Sequence, residues 1–291
     1  MIIKDWLRLA KKSTDSLDAE LILLHVKKYS DRAELLLKEN NELTEAEKNE
    51  AEKLLSRRKA GEPLAYILGY REFYSRKFLV DRNVLIPRPE TEAAVDFVVS
   101  ECGKNQNDWQ IFDIGTGSGC IGISLFLELS GKNSRVNVVC SDISDQALVV
   151  AKKNYARLRS DLLTKDSGYI SFVKSDLTES LDIDLSNPTI VVANLPYVSK
   201  DWNWIDKKAL DYEPQVALFA EQNGLELVYK LINQIKEKND VNPNPSSRMI
   251  LVLEMDKSQQ NEIIEYTKQL GCSTEKISDY VLKVEFTRRQ R

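Results

Sequence analysis

From Trp109 onward, short apolar runs alternate with longer amphipathic ones, and this alternation limits the possible folds more than any other feature. Strands are expected at 110–114, 136–141, 169–173, 189–193 and 248–254, and helices at 119–130, 144–158, 224–237 and 257–269. Such a repeat predicts an α/β protein with a doubly wound, mostly parallel sheet. Two more strand-like runs, 272–278 and 281–287, flank a tight turn at Asp279-Tyr280 and predict a closing antiparallel hairpin.

Ahead of that region, residues 1–70 read as a small helical domain. Leu17, Leu21, Leu24 and Lys28 follow helical spacing, Asp31 to Lys38 repeats it, and Thr44-x-x-Glu47 forms a capping box. The helix it opens runs towards Gly61 and stops before Pro63. His25, the single histidine, sits in an apolar helical run and is read as structural. Residues 71–90 are expected to be a linker carrying a β-hairpin, with Phe73, Phe78–Val80 and Val84–Ile86 flanking a turn at Asp81-Arg82-Asn83. Pro87-Arg88-Pro89 then breaks the chain before a helix starting near Glu90, and residues 91–291 make the second domain. The polar cluster from Asn239 to Ser247 predicts a surface loop.

Composition removes several classes of chemistry. One histidine excludes histidine triads and histidine-rich metal sites. Cys102, Cys120, Cys140 and Cys272 have no Cys-x-x-Cys spacing, so half-buried reduced thiols are expected and no metal. The net charge of −4 argues against stable nucleic-acid binding by phosphate neutralisation. No stretch approaches the ~20 apolar residues of a membrane span, and Met1 to Ala10 is too polar for a signal peptide. A cytoplasmic protein is expected.

Asp113-Ile114-Gly115-Thr116-Gly117-Ser118-Gly119 joins a predicted strand to a predicted helix. Glycines there let backbone approach a ligand, and the helix N-terminus offers free N–H groups to a carboxylate. Gly117-x-Gly119-x-x-Gly122 also satisfies the dinucleotide pattern, with Asp142 placed for a ribose, so a nicotinamide-dependent oxidoreductase competes at this point. Asp113, two residues before the first glycine, favours the acid-x-Gly-x-Gly-x-Gly pattern of methyltransferases. Asp142 and Asp176 end the next two strands, where such sheets bind ligands; Asp142 suits ribose hydroxyls and Asp176 an adenine amino group, with Leu177 against the ring.

Val192-Ala193-Asn194-Leu195-Pro196-Tyr197 ends the fourth predicted strand of the alternating region. A planar NH2 group is a poor nucleophile because its lone pair is delocalised. The Asn194 side-chain oxygen and the Leu195 carbonyl can accept its two hydrogens, Pro196 favours an extended Leu195, and Tyr197 can stack on the plane. The two motifs together imply a nucleotide-like cofactor held beside a planar nitrogen, as methyl transfer from S-adenosylmethionine requires.

With these motifs in place, the chain resembles the PrmC/HemK family of release factor glutamine methyltransferases over nearly its whole length. The resemblance rests on Glu62-Pro63-Leu64-Ala65-Tyr66-Ile67-Leu68-Gly69, Glu72-Phe73, Val84 to Glu92, Asp113 to Gly119, Asp142-Ile143-Ser144, Glu213 to Leu218 and Asn223-Gly224-Leu225. It implies a class I S-adenosylmethionine-dependent methyltransferase domain, Rossmann-like, with a mostly parallel seven-stranded sheet and C-terminal antiparallel hairpin, behind a small N-terminal helical domain. It implies cofactor contacts from Asp113, Gly115, Thr116, Gly117, Ser118, Gly119, Asp142, Ile143, Asp176, Leu177 and Asn194. Arg88, Pro89 and Glu90 are implied at the substrate glutamine with Asn194, Leu195, Pro196 and Tyr197, the last four being catalytic. The implied partner is a class I peptide chain release factor, methylated by a monomer on the glutamine of its Gly-Gly-Gln motif.

Leu195 stands where the family usually has proline, and the resulting Asn-Leu-Pro-Tyr is also the form of rRNA adenine dimethyltransferases. Phe219 to Gln222 replaces a usually glycine-containing segment, and Glu254-Met255-Asp256 matches more loosely. An adenine-amino methyltransferase acting on RNA or DNA is therefore the competing reading, and a silent scaffold that only binds cofactor is a third.

Overall fold

A computed structural model of the chain describes residues 1–104, 108–130, 136–161, 168–184, 186–199, 201–202, 210–241, 244 and 247–286. Contacts divide it into two compact units, Met1–Tyr70 with Asp206–Tyr212, and Arg71–Ile205 with Glu213–Arg291.

The first unit holds helices α1 (Ile3–Ala10), α2 (Ser16–Lys27), α3 (Arg32–Leu37), α4 (Glu45–Lys59) and α5 (Leu64–Leu68). The predicted capping box is present in full at Thr44 and Glu47. Ile3, Trp6, Ile22, Leu23, Leu54 and Ile67 form its core. On α2 the buried residues are Ala19, Ile22 and Leu23; Leu17 is exposed, while Leu24 is partly buried and packs against the same core. His25 is exposed as well. Arg57 grips buried Glu62 through two hydrogen bonds of 2.8 and 2.7 Å, which fixes the chain just before Pro63. Tyr212 returns to this unit by donating its hydroxyl to the Ala60 carbonyl at 3.0 Å.

In the second unit, β1 (Tyr70–Phe73) and β2 (Arg76–Leu79) form a separate two-stranded sheet. The hairpin turn is therefore at Tyr74-Ser75, both with positive φ (49° and 59°), and not at Asp81-Arg82-Asn83. The latter is a local turn in which Asp81 accepts the Asn83 N–H, and Val84–Ile86 is not a strand. A 3₁₀ turn at Pro89–Thr91 leads into α6 (Glu92–Gly103).

The main sheet follows as β3 (Trp109–Ile114), β4 (Val136–Asp142), β5 (Gly168–Lys174), β6 (Thr189–Ala193), β7 (Met249–Glu254), β8 (Ser273–Lys276) and β9 (Val281–Phe286). Its spatial order is β5-β4-β3-β6-β7-β9-β8, parallel except for β9, which runs antiparallel to both β7 and β8. The closing hairpin is thus as expected, save that 287 lies outside the described residues; so do 242, 243, 245 and 246 of the predicted 239–247 loop.

Helices α7 (Cys120–Leu129), α8 (Asp145–Leu158), α9 (Glu226–Asp240) and α10 (Gln260–Gln269) complete the layers. Side chains alternate across the sheet with period 2. Ile111, Val138, Ile190 and Val252 pack with Val95 and Ile123 on one face, and Phe112, Val191 and Leu251 pack with Ile232 and Ile263 on the other. Cys102, Cys120 and Cys140 are buried free thiols and Cys272 is half-buried. Among the described residues no helix is long and apolar enough to cross a membrane, and no group of His, Cys, Asp and Glu is placed to hold a metal ion.

Gly122 sets the closeness of α7 to the sheet: a Cβ there would stand 2.4 Å from Cys140 Sγ and 2.9 Å from Asp113 Oδ2. Gly122→Ala is accordingly expected to destabilise the protein by about 1–3 kcal/mol, the usual range for overpacking, read as a lower denaturant midpoint at unchanged slope.

Candidate functional site

Register brings the strand ends level. Ile114 pairs with Ser141 of β4 and Ala193 of β6, and Ala193 pairs with Leu253 of β7. The next residues, Gly115, Asp142, Asn194 and Glu254, therefore sit side by side at the carboxyl edge of the sheet.

Asp113 is fully buried beneath the glycine turn. Its Oδ2 accepts the Thr116 hydroxyl (2.6 Å) and the Gly122 N–H (2.9 Å), tying the loop to the first turn of α7. Burial pushes its carboxyl up to about 6, against the pull of those two donors. Asn154 of α8 braces the same loop: its amide donates to the carbonyls of Ser118 (2.9 Å) and Leu79 (3.0 Å) and accepts the Leu79 N–H. Asp142 accepts N–H groups from Gly117 and Ser144, both at 2.9 Å, and burial raises its pKa against those bonds. Asp176, after β5, pairs with Lys230 of α9 at 2.7 Å.

These elements enclose a cavity of about 390 Å³. Of the expected cofactor residues, Gly115, Thr116, Gly117, Ser118, Asp142, Ile143, Asp176, Leu177 and Asn194 line it; Asp113 and Gly119 do not. Gly119 instead caps α7 with a φ of 81°. Arg88, Leu195 and Pro196 line the cavity too, whereas Pro89, Glu90 and Tyr197 do not. The lining fits S-adenosylmethionine. Two carboxylates stand at successive strand ends, and Gly117, with a φ of 54°, lines the cavity where a Cβ would lie 4.0 Å from the Gly115 carbonyl oxygen.

The Asn194 loop is held from several sides. Asn194 Nδ2 donates to the Thr91 hydroxyl at 3.3 Å. Leu195 is buried, and a Cβ on Gly115 would come within 3.2 Å of its Cδ2, so Leu195 packs on the glycine turn. Gln259 Nε2 donates to the carbonyls of Tyr197 and Asn223, both at 2.8 Å, stitching the loop to the turn before α9. Glu213 accepts the Ile86 N–H at 3.0 Å and pairs with Arg88, which anchors the Pro87–Glu92 segment beside the cavity. Burial and the nearby Glu254 raise the Tyr197 hydroxyl above its ordinary range, so it stays protonated at neutral pH.

Thr91, Asn154, Lys230, Glu254 and Gln259 are absent from the sequence-based site. For Glu254 a signal existed: like Asp142, it is an acid closing an apolar strand.

A family model described as the PrmC N-terminal domain matches residues 4–69, and one described as the methyltransferase small domain matches residues 89–203. The chain is 36% identical over 231 residues to the release factor glutamine methyltransferase of Neisseria gonorrhoeae, covering 79% of this chain and 78% of that one. To the enzyme of that name from Leptospira interrogans it is 38% identical over 233 residues, covering 79% and 77%. It is also 36% identical over 265 residues to the bifunctional methyltransferase of Rickettsia prowazekii, covering 85% of this chain and 48% of that protein. The chain thus spans about half the length of the bifunctional relatives. On these matches, the chain belongs to the PrmC/HemK family of release factor glutamine methyltransferases.

Proposed function

We propose that the protein transfers the methyl group of S-adenosylmethionine to the side-chain amide nitrogen of the glutamine in the Gly-Gly-Gln motif of a class I release factor. The observation that carries this reading is the presence of Asn194, Leu195 and Pro196 in the same cavity as Asp142, Asp176 and the glycine turn. Bound S-adenosylmethionine supplies a methyl group on a cationic sulfur that leaves as a neutral thioether.

The protein's own residues do the positioning. Asp142 would accept from the ribose hydroxyls of the cofactor, and Asp176 with Leu177 would receive its adenine. Because Thr91 engages the Asn194 amide nitrogen, the Asn194 oxygen is free to accept one hydrogen of the target NH2. The Leu195 carbonyl accepts the other. Arg88 borders the glutamine from the cavity wall, and Pro89, Glu90 and Tyr197, which are not in that wall, would meet it outside the cavity, Tyr197 stacking as a neutral phenol. Held this way, the amide nitrogen would be aligned to take the methyl group that the cofactor supplies, and the N-methylated amide cation would give its extra proton to water. Orientation supplies most of the rate, so no strong base is required. In this reading the enzyme works in the cytoplasm as a monomer and forms no stable complex with nucleic acid, consistent with its net charge of −4.

The test is mass spectrometry of the Gly-Gly-Gln peptide after a release factor is incubated with the protein and S-adenosylmethionine. One added methyl on that glutamine is expected. An unmodified glutamine despite measured cofactor binding overturns the assignment, and methylation of adenine in RNA under the same conditions would replace it.

A further inference from the structure

Glu254 has no role in the chemistry above, yet it is 2% exposed at the end of an otherwise apolar strand. Its Oε2 makes no hydrogen bond among the described residues. Burying a carboxyl group this way is unfavourable, and an apolar residue would close β7 without that penalty. Its neighbours are informative. Register places Glu254 beside Asn194, one position past the Ala193–Leu253 pair, and Thr91 accepts from the Asn194 amide. The side chains of Thr91 and Asn194 both favour its charged form.

We propose that Glu254 is a positioning residue that sets which end of the Asn194 amide faces the substrate. This rests on the role given to Asn194 above. An ionised Glu254 accepts the Thr91 proton, which leaves the Thr91 oxygen to accept from Asn194 Nδ2, the orientation observed. Asn194 Oδ1 is then the end offered to the target amide. A protonated Glu254 can instead donate to the Thr91 oxygen, and the Thr91 proton turns to Asn194 Oδ1. The amide then loses its acceptor on the substrate side.

The other charged and titratable groups acting on this carboxyl are Arg88 and Glu90 from the Pro87–Glu92 segment, Tyr197 from the Asn194 loop and Cys120 from the start of α7. Burial is the largest influence and the Glu90 charge adds to it, while Thr91, Asn194 and Arg88 oppose; the balance lifts Glu254 to about 7. The relay therefore reverses near neutral pH.

The experiment follows the side-chain NH2 signals of Asn194 by NMR in asparagine-labelled protein from pH 5.5 to 8.5, with Asn194→Ala to identify them. A titration with a midpoint near 7 is expected in the wild type and is lost in the isosteric Glu254→Gln variant. Signals that do not titrate, or that titrate unchanged in a folded Glu254→Gln variant, overturn the proposal. The activity readout separates this role from the reaction assignment. The kcat for glutamine methylation should rise with pH through about 7 in the wild type and stay flat in Glu254→Gln, at a level up to about 100-fold below the plateau. A wild type that shows the NMR titration but methylates no glutamine overturns the reaction assignment and leaves the Glu254 relay standing.

Discussion

Asn194→Ala is expected to lower kcat for glutamine methylation by about 10²–10³-fold, the usual loss when one preorganised polar contact to a reacting group is removed. Affinity for S-adenosylmethionine should change far less, because Asp142, Asp176 and the glycine turn remain. The structural basis is the position of Asn194 directly after β6 with its nitrogen donating to Thr91; the proposed reaction uses its oxygen for the substrate. Truncation removes that acceptor and leaves only the Leu195 carbonyl to orient the target NH2. Isothermal titration with the cofactor and single-turnover methylation of a release factor measure the two quantities separately. A variant that binds cofactor normally and retains wild-type kcat would remove Asn194 from the chemistry. Equal losses in binding and turnover would instead make it a cofactor contact.

The framework of this site was legible because its signals are local. Apolar runs such as Ile190–Ala193 and Met249–Leu253 are buried on both faces, as central parallel strands require, and their edges fell within a residue or so of expectation. Asp142 and Asn194 were readable because one ends β4 and the other follows β6, and Asp113 because it lies one residue before the end of β3 and two before the glycine turn. The misplaced hairpin has a physical cause: Tyr74 and Ser75 adopt positive φ, a conformation that the usual Asn-Gly or Asp-Gly turn signal would have announced, while Asp81-Arg82-Asn83 looks more turn-like and is only a local loop. Residues that act across the fold left no local trace. Gln259 joins segments 62 and 36 positions away, Asn154 reaches back 75 to Leu79, and Lys230 meets Asp176 from 54 positions off. On α2, the leucine spacing was a sound helical signal, but it did not single out Ala19, Ile22 and Leu23, which are the buried residues.

Gly224→Ala should have the second large effect, on stability and turnover together. Gly224 has a φ of 84°, and Gln222 and Asn223 before it are left-handed as well, at 52° and 56°. Alanine in that region is unfavourable by roughly 1–2 kcal/mol before any contact is considered. The contacts are worse: a Cβ would lie 1.9 Å from the Tyr197 carbonyl oxygen, 2.6 Å from its carbon and 2.7 Å from Gln259 Nε2. Two of those atoms are backbone of the Asn194–Tyr197 loop, so a side-chain rotation cannot relieve them. Either the Asn194–Tyr197 loop or the start of α9 must move by about an ångström, and a displacement of that size near reacting atoms can cost about 10²-fold in rate. The expected result is a lowered unfolding midpoint together with a kcat reduced about 100-fold, while cofactor binding at the distant Asp142 side is retained. Gln259→Leu separates the two causes, since it removes the hydrogen bonds to Tyr197 and Asn223 without adding a clash. A similar loss of kcat in that variant would assign the effect to the Gln259 stitch. Full activity there, with Gly224→Ala impaired, would mean that β6 and the packing of Leu195 on Gly115 suffice to hold the loop, and that Gly224 matters only because it leaves the Tyr197 carbonyl room.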